Sequence, residues 1–405
     1  MCNALIPCQE DSYEMKPLHG LRILDLSHSL AGPFASMLLA NLGARVIKIE
    51  PPAGDETRTW GPHIKGESAY FISTNRGLKS ICIDLKVKDG QRIVHELVEN
   101  SDAVIENFRP GIAERLGVNY QELMKYNPRI VYCSIKGFGP KSHYSSRGAY
   151  DLIIQAMSGL MATTGEEGRP PVRVSFALFD VMTGMLSGIY VLATLLGGDR
   201  PSYIEVSLFD AAVFSMCYVP TGFLLTGKKP PRVGSANPSM APYQAFRDRD
   251  GRYFVMASAN DKLWKSTCDA LGESALESDP SFSTNPDRIR NRGKLVEILQ
   301  EKFSTQPREY WIELLEGAGV PAGPVNEIEE VFQDPWIRDS GLVTKLVHKT
   351  LGEIPFLQPP VWVNGERLGA ETSSPTLGEN TSSVLQELGY SKDTIKSLYD
   401  SGVIR

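Results

Sequence analysis

Leu21-Arg22-Ile23-Leu24-Asp25-Leu26, then Ser27-His28-Ser29-Leu30-Ala31-Gly32-Pro33, then Arg45-Val46-Ile47-Lys48-Ile49 is the stretch whose reading decides the fold. The first piece is an apolar run of strand length. Gly32-Pro33 opens a segment with Phe34, Met37, Leu38 and Leu42 on one face, the i, i+3, i+4, i+8 spacing of an amphipathic helix. Pro33 suits the first helical turn, where its missing N–H costs nothing, and Gly43 stops the helix. The third piece is again a strand. The alternation recurs as strand 79–85, helix 89–100, strand 102–106, short helices over 111–126 and strand 129–135. Strands alternating with helices predict an α/β domain with a mostly parallel sheet covered on both faces.

Outward from this core, residues 151–227 read as mainly helical and rich in small residues, with strands expected near 172–176 and 203–207. Residues 228–242 (KKPPRVGSANPSMAP) are a Pro/Gly/Ser-rich connection and a domain boundary. A smaller α+β unit follows, with a strand at 252–258, helices near 261–271, 288–304 and 308–318, and a turn at 319–324. The tail resumes short strands and ends in two helices. The expected division is 1–227 for the first part of a large domain, 228–329 for a small domain, and 330–405 for a C-terminal part that completes the large one.

Composition narrows the function classes. The 405 residues are 42% hydrophobic and 22% charged, enough to bury a large core in two or three units. A net charge of -6 disfavours wholesale nucleic-acid binding but leaves room for a locally basic pocket. The six cysteines lie far apart with no C-x-x-C pair, which argues against a disulfide framework or a structural zinc and for a reducing compartment. The N-terminus lacks a basic start and an apolar run. The apolar stretches 176–198 and 206–227 are interrupted by Asp180, Asp210, Pro220 and several glycines, so no membrane span is expected. A cytoplasmic, soluble protein is the expectation.

Several familiar chemistries drop out. Gly222–Lys229 superficially matches a phosphate-binding P-loop, but Lys229 stands where the Mg²⁺-binding hydroxyl belongs. There is no G-x-G-x-x-G after the first strand, no G-x-S-x-G elbow, and no metal-ligand spacing among the six histidines. The turn Leu26–Pro33 puts small residues and free N–H groups at a strand's carboxyl end and a helix N-terminus. That is where open α/β sheets hold phosphorylated ligands, although a plain tight turn has the same pattern, and a lone His28 is more often a packed residue. Lys48, Lys86, Arg109, Arg115 and Lys136 recur near predicted carboxyl ends of strands. Together they suit a polyanionic nucleotide such as coenzyme A; singly each is a solvated surface residue.

Longer motifs carry a family resemblance. Leu30-Ala31-Gly32-Pro33-Phe34, Leu42 to Arg58, Asn75-Arg76-Gly77, Ile83-Asp84-Leu85-Lys86 and Ile105-Glu106-Asn107-Phe108-Arg109-Pro110-Gly111 resemble class III CoA-transferases. Tyr150-Asp151, Ser207-Leu208-Phe209-Asp210-Ala211 and Ala318 to Asn326 extend the likeness, which covers roughly 17–400. The resemblance implies a Rossmann-like large domain, a small domain, and two chains interlocked as a homodimer. It implies an enzyme that moves CoA from an acyl-CoA to a small carboxylic acid through a covalent enzyme-carboxylate thioester, with acyl-CoA as substrate and no permanently bound cofactor. Alternatives within it are a 2-methylacyl-CoA racemase and a CoA-binding relative without chemistry.

Carried over by position, the CoA contacts fall on Leu30, Ala31, Ile83, Lys86, Asn107, Phe108, Arg109, Arg115 and Lys136. Pro51 stands where formyl-CoA transferases often carry Arg. The transferases' nucleophilic Asp sits in a loop of form Gly-x-x-Asp-x-Pro-Pro; here Gly165–Pro171 puts Gly168 at that position, so Glu167, or next to it Glu166, is the expected nucleophile. The racemases' His/Asp pair maps to Tyr150 and Asp180, and a phenol is a poor substitute for imidazole.

Overall fold

The computed structural model describes residues 16–198 and 201–405, so Cys2, Cys8 and the N-terminal segment read above lie outside the described residues. Six parallel strands form the central sheet: β1 (Arg22–Asp25), β2 (Arg45–Glu50), β3 (Lys79–Cys82), β4 (Ala103–Glu106), β5 (Val131–Lys136) and β6 (Ser202–Ser207). Their order across the sheet is β3-β2-β1-β4-β5-β6. This is the doubly wound, Rossmann-like arrangement, whose strand order reverses between β1 and β4 and opens a crevice outside their carboxyl ends. Ile23 pairs with Val46 on one side and with Ala103 on the other, which sets β1 at the centre. Strands buried on both faces need continuous apolar sequence, and Ile23, Leu24, Val104 and Ile105 supply it.

Helix α1 (Ala31–Asn41) follows β1, α2 (Ala69–Thr74) precedes β3, and α3 (Lys88–Glu99) follows it. On one side of the sheet Ile93, Val94, Leu97 and Val98 of α3 join Ile81, Val104 and Tyr132, together with Val384, Leu385, Ile395 and Leu398 from the C-terminal helices Thr381–Glu387 and Lys392–Asp400. The short helix α4 (Ile112–Arg115) follows β4; α5 (Asp151–Met157), α6 (Leu178–Leu196) and α7 (Leu208–Ser215) complete the unit. α6 is long and apolar enough to cross a membrane, with mean hydropathy 1.6, although Asp180 and its glycines argued against a span on sequence. Its small-residue stripe, including Thr183, Gly184, Ser187 and Gly188, is buried instead. A Cβ at Gly184 would lie 2.6 Å from the Ala31 carbonyl oxygen, so glycine lets α6 press directly on the start of α1.

Residues 172–176 form no strand. Their backbone is held by a side chain, the Val174 N–H donating to Gln155 Oε1 at 2.9 Å, and Pro170-Pro171 upstream offer no donors for a ladder.

By contacts the chain forms two compact units. The first comprises residues up to Ser158, Val174–Cys217 and Arg338–Arg405; the second comprises Gly159–Arg173 and Tyr218–Ile337. Relative to the sequence-based boundaries, the second unit begins ten residues earlier, ends eight later, and takes in the loop 159–173. Arg232 explains the recruitment of that loop, donating to the carbonyls of Thr164, Arg169 and Pro170. The rest of the second unit is a three-stranded antiparallel sheet, β7 (Tyr243–Arg247), β8 (Tyr253–Ala257) and β9 (Ala322–Pro324), packed by helices around Phe246, Phe254, Trp264, Phe303 and Trp311.

Candidate active site

The turn from β1 into α1 is tied down residue by residue. Asp25 accepts from the Ser27 N–H at 2.9 Å, and Lys48 Nζ donates to the Ser27 carbonyl at 2.8 Å. Asn107, just past β4, clamps the next residue from both sides: its Oδ1 accepts from His28 N–H at 2.9 Å and its Nδ2 donates to His28 O at 2.7 Å. Asp55 accepts from the Ser29 N–H at 3.3 Å. Ser29 sits at φ 68, a left-handed conformation that costs energy for a residue with a Cβ and persists only where surroundings enforce it. A Cβ on Gly32 would meet Ser27 Oγ at 2.1 Å, so the helix can start this close to the turn only with glycine there.

Beneath the turn Lys48 is fully buried, 3.0 Å from Asp55 and 3.6 Å from Asp25. Burial acts to lower the Lys48 pKa, but the Asp25, Asp55 and Glu50 carboxylates outweigh it and hold the ammonium charged. For Asp55, burial acts to raise the pKa and is outweighed by Lys48 and by bonds from Thr57.

Two cavities open on this turn. One, of about 160 Å³, is lined by His28, Leu30, Ala31, Phe108, Arg109 and Tyr150, with Lys136, Arg147, Glu56 and Asp180. The other, of about 260 Å³ and largely apolar, is lined by Leu26, Ile49, Ile83, Lys86 and Phe108 among others. His28 and Phe108, in edge-to-face contact at 6.1 Å, line both. Both lie at carboxyl ends of the parallel strands, and the first also takes in the N-terminus of α1, whose partial positive charge favours an anion.

Asp180, in the first turn of α6, supplies a carboxylate to the first cavity. Burial, and after it the neighbouring Asp151 carboxylate, push its pKa up to about 7. Tyr70 of α2 is pushed up to about 12 by burial and then by the charges of Asp180 and Asp151. Arg109 and Arg147 face the same cavity with no carboxylate paired to either among the described residues. Cationic groups left without a carboxylate partner are what a polyphosphate needs.

Of the residues expected from sequence, Leu30, Ala31, Phe108, Arg109 and Lys136 line the first cavity, and Ile83, Lys86 and again Phe108 the second. Asn107 also borders the first, but both ends of its amide are spent on His28. Lys136 is neutralised by Glu106 at 3.0 Å and donates to the Phe108 carbonyl, so it shapes the loop 106–108. Arg115 lines neither cavity; it borders an exposed groove with Gln91, Arg92 and His95, while Leu116, about 100° further round, faces the second cavity. Glu166 and Glu167 are exposed in the second unit, with Glu166 Oε2 3.9 Å from Arg169. Asp180, on sequence the partner in a racemase pair, and Arg147, not singled out there, also line the first cavity. The available signal was Asp180 itself, a lone charge in an otherwise apolar 19-residue helix.

A doubly wound sheet with cation-bearing cavities at its switch point is the arrangement in which open α/β enzymes hold phosphorylated ligands. Comparison with known proteins makes the class specific. CoA-transferase family III matches residues 18–381. The mouse succinyl-CoA:glutarate CoA-transferase is 40% identical over 402 residues, covering 98% of this chain and 92% of its own length. The acetyl-CoA:oxalate CoA-transferase of Acetobacter aceti is 39% identical, covering 92% and 95%. A crystal structure of a CAIB/BAIF family protein from Brucella suis superposes with TM-score 0.83 at 37% identity, covering 93% of this chain and all of that one. The chain belongs to CoA-transferase family III, and it is an enzyme that moves CoA between an acyl-CoA and a carboxylic acid.

Proposed function

We propose that Asp180, rather than Glu167 or Glu166, carries the acyl group and then CoA, and that Leu30, Ala31, Ile83, Lys86, Phe108, Arg109 and Arg147 surround the nucleotide. The observation that carries this reading is the carboxyl of Asp180, raised to about 7 by burial and Asp151, in the cavity that Leu30, Ala31 and Arg109 line. Ionised Asp180 attacks the thioester carbonyl of the donor. The C–S bond breaks, its electron pair leaves on the CoA thiolate, and a mixed anhydride remains. The thiolate then attacks the aspartyl carbonyl, releasing the donor acid as its carboxylate and leaving an aspartyl-CoA thioester. The acceptor carboxylate runs the two steps in reverse, and Asp180 returns as a carboxylate with no net proton uptake. Arg109 and Arg147 give charge-assisted bonds to the phosphates, and the apolar lobe beside Ile83 takes the nucleoside end.

Hydroxylamine or borohydride quenching with acyl-CoA, followed by peptide mass spectrometry, tests the assignment. The adduct is expected on the peptide bearing Asp180 and is lost, with exchange, in Asp180→Asn. An adduct on Glu166 or Glu167 refutes it.

The acid proposed is a small dicarboxylate, supported by the glutarate and oxalate named for the mouse and Acetobacter relatives. The protein is proposed to be a cytoplasmic, interlocked homodimer working away from membranes. Exposed apolar side chains on α6 and α7, Ile189 at 59%, Tyr190 at 57% and Phe214 at 77%, support a covering second copy. Light scattering should give twice the chain mass at every dilution; a monomer at micromolar protein refutes the dimer.

A further inference from the structure

We propose that Asp151 is a positioning residue for Asp180, holding the first turn of α6 at the cavity and presenting a second negative charge to the nucleophile; this rests on the assignment of Asp180 made above. Asp151 is 5% exposed and opens α5. Its Oδ1 accepts from the N–H of Phe179, the residue before Asp180, at 2.7 Å. Its Oδ2 accepts from Nε2 of the fully buried Gln155 one turn on, and Gln155 reaches the same strap twice more, through the Val174 N–H and the Phe176 carbonyl. One face of α5 therefore fastens residues 174–179, and Asp180 is the next residue along.

The Phe179 bond alone does not call for a charge, since an asparagine at 151 would accept from that N–H too; its Nδ2, however, would face the Gln155 Nε2 donor, so the second anchor needs the carboxylate oxygen. Beyond these bonds the carboxylate supplies its field. The titratable and charged groups that line the cavity with Asp180 are His28 in the β1–α1 turn, Glu56 in the turn after β2, Arg109, Lys136, and Arg147 with Tyr150 ahead of α5, and Tyr70 on α2 feels its charge. Burial apart, the neighbour whose charge pushes Asp180 up is Asp151, and Tyr70 responds to both carboxylates. A nucleophile near 7 is ionised in useful amount at neutral pH yet retains the basicity of a poorly solvated carboxylate.

Asp151→Asn removes the charge while keeping the bond to Phe179, and Gln155→Leu, which removes the Gln155 bond but keeps the charge, is its control and should leave the pH limb in place. Activity requires ionised Asp180, so kcat/KM of the wild type rises with pH through about 7, and about a tenth of Asp180 is ionised at pH 6. In the variant this limb should move to lower pH, raising the ratio of the rate at pH 6 to that at pH 8 at least about twofold over the wild type. A limb that stays in place, with kcat lowered equally at every pH, overturns the proposal and leaves Asp151 a structural anchor. Should the asparagine variant not fold, Asp151→Ser, neutral and still an acceptor, is read the same way. Quenching on the same samples keeps the two claims apart. An adduct on Asp180 with an unmoved limb sinks this inference alone, whereas no adduct on Asp180 sinks the assignment and the inference with it.

Discussion

Lys48→Met removes the cation under the ligand-lining turn while roughly preserving its volume. Nζ sits 3.0 Å from Asp55 and 3.6 Å from Asp25, all three side chains are essentially inaccessible, and the same nitrogen donates to Ser27 O. Methionine leaves two buried carboxylates without a counter-charge. Removing one partner of a buried ion pair costs about 3–5 kcal/mol, a large share of the ~5–15 kcal/mol by which a domain is stable. For a unit of this size that corresponds to a melting temperature lower by about 6–20 °C. The pH dependence fixes the cause. In the wild type Asp55 is held low, so its contribution is present above the unfolded value of about 3.9 and is lost as pH falls through the folded one; raised Lys48 contributes below about 10.4 and loses its contribution only above that. In the variant the stranded carboxyls are pushed up and take up protons on acidification, so its deficit should be full at pH 7 and shrink toward pH 4.5. Calorimetry at the two pH values reads both effects, and adding Asp55→Asn should recover part of the loss. A melting point within about 2 °C of the wild type at pH 7, or a double variant no better than the single one, would show that the buried charges do not hold this turn.

Arg109→Ala and Arg147→Ala should each weaken CoA binding by about 1.5–3 kcal/mol, roughly ten- to a hundredfold, as charged hydrogen bonds are lost; calorimetry showing unchanged affinity in both would mean the phosphates lie elsewhere. Glu166→Gln and Glu167→Gln should keep most of the thioester exchange, since both side chains are exposed. A collapse of exchange in either, with the melting curve intact, would move the chemistry into the second unit.

The large domain was legible because its strands are buried on both faces and therefore carry no polar alternation to blur them. Leu24, Ile47, Ile81, Val104 and Tyr132 all point into one core, and the helices between them keep a 3.6-residue period. The strand expected near 203–207 is β6, paired with β5, although most of its residues are only partly buried. Segment 172–176 has the same local composition but is stabilised by one distant side chain, Gln155, and nothing in its own sequence records that bond. The loop 159–173 joins the second unit through Arg232, some sixty residues away, another contact invisible to local pattern.

The site was legible as a place but not as a charge balance. Of the basic residues at strand ends, Lys48 is neutralised by Asp25 and Asp55 and Lys136 by Glu106, which leaves Lys86, Arg109 and the unremarked Arg147 facing the cavities. Pairing is a three-dimensional fact, so counting cations along a chain overstates what a ligand meets. The nucleophile illustrates the converse. Searching one loop for a carboxylate favoured Glu167 because Gly168 fills the family position, and the proposal of Asp180 rests on helical geometry instead. Asp180 and Gly184 are four residues apart and so share a face of α6. A Cβ on Gly184 would lie 2.6 Å from the Ala31 carbonyl oxygen, so glycine there lets α6 bring the carboxylate one turn before it to the cavity that Leu30 and Ala31 line. A lone acid one turn ahead of a glycine in an apolar helix is thus a combined signal for the proposed site, and Gly184→Ala, which should push α6 away from α1, is expected to lower thioester exchange with Asp180 still in place; exchange at the wild-type rate would refute the link.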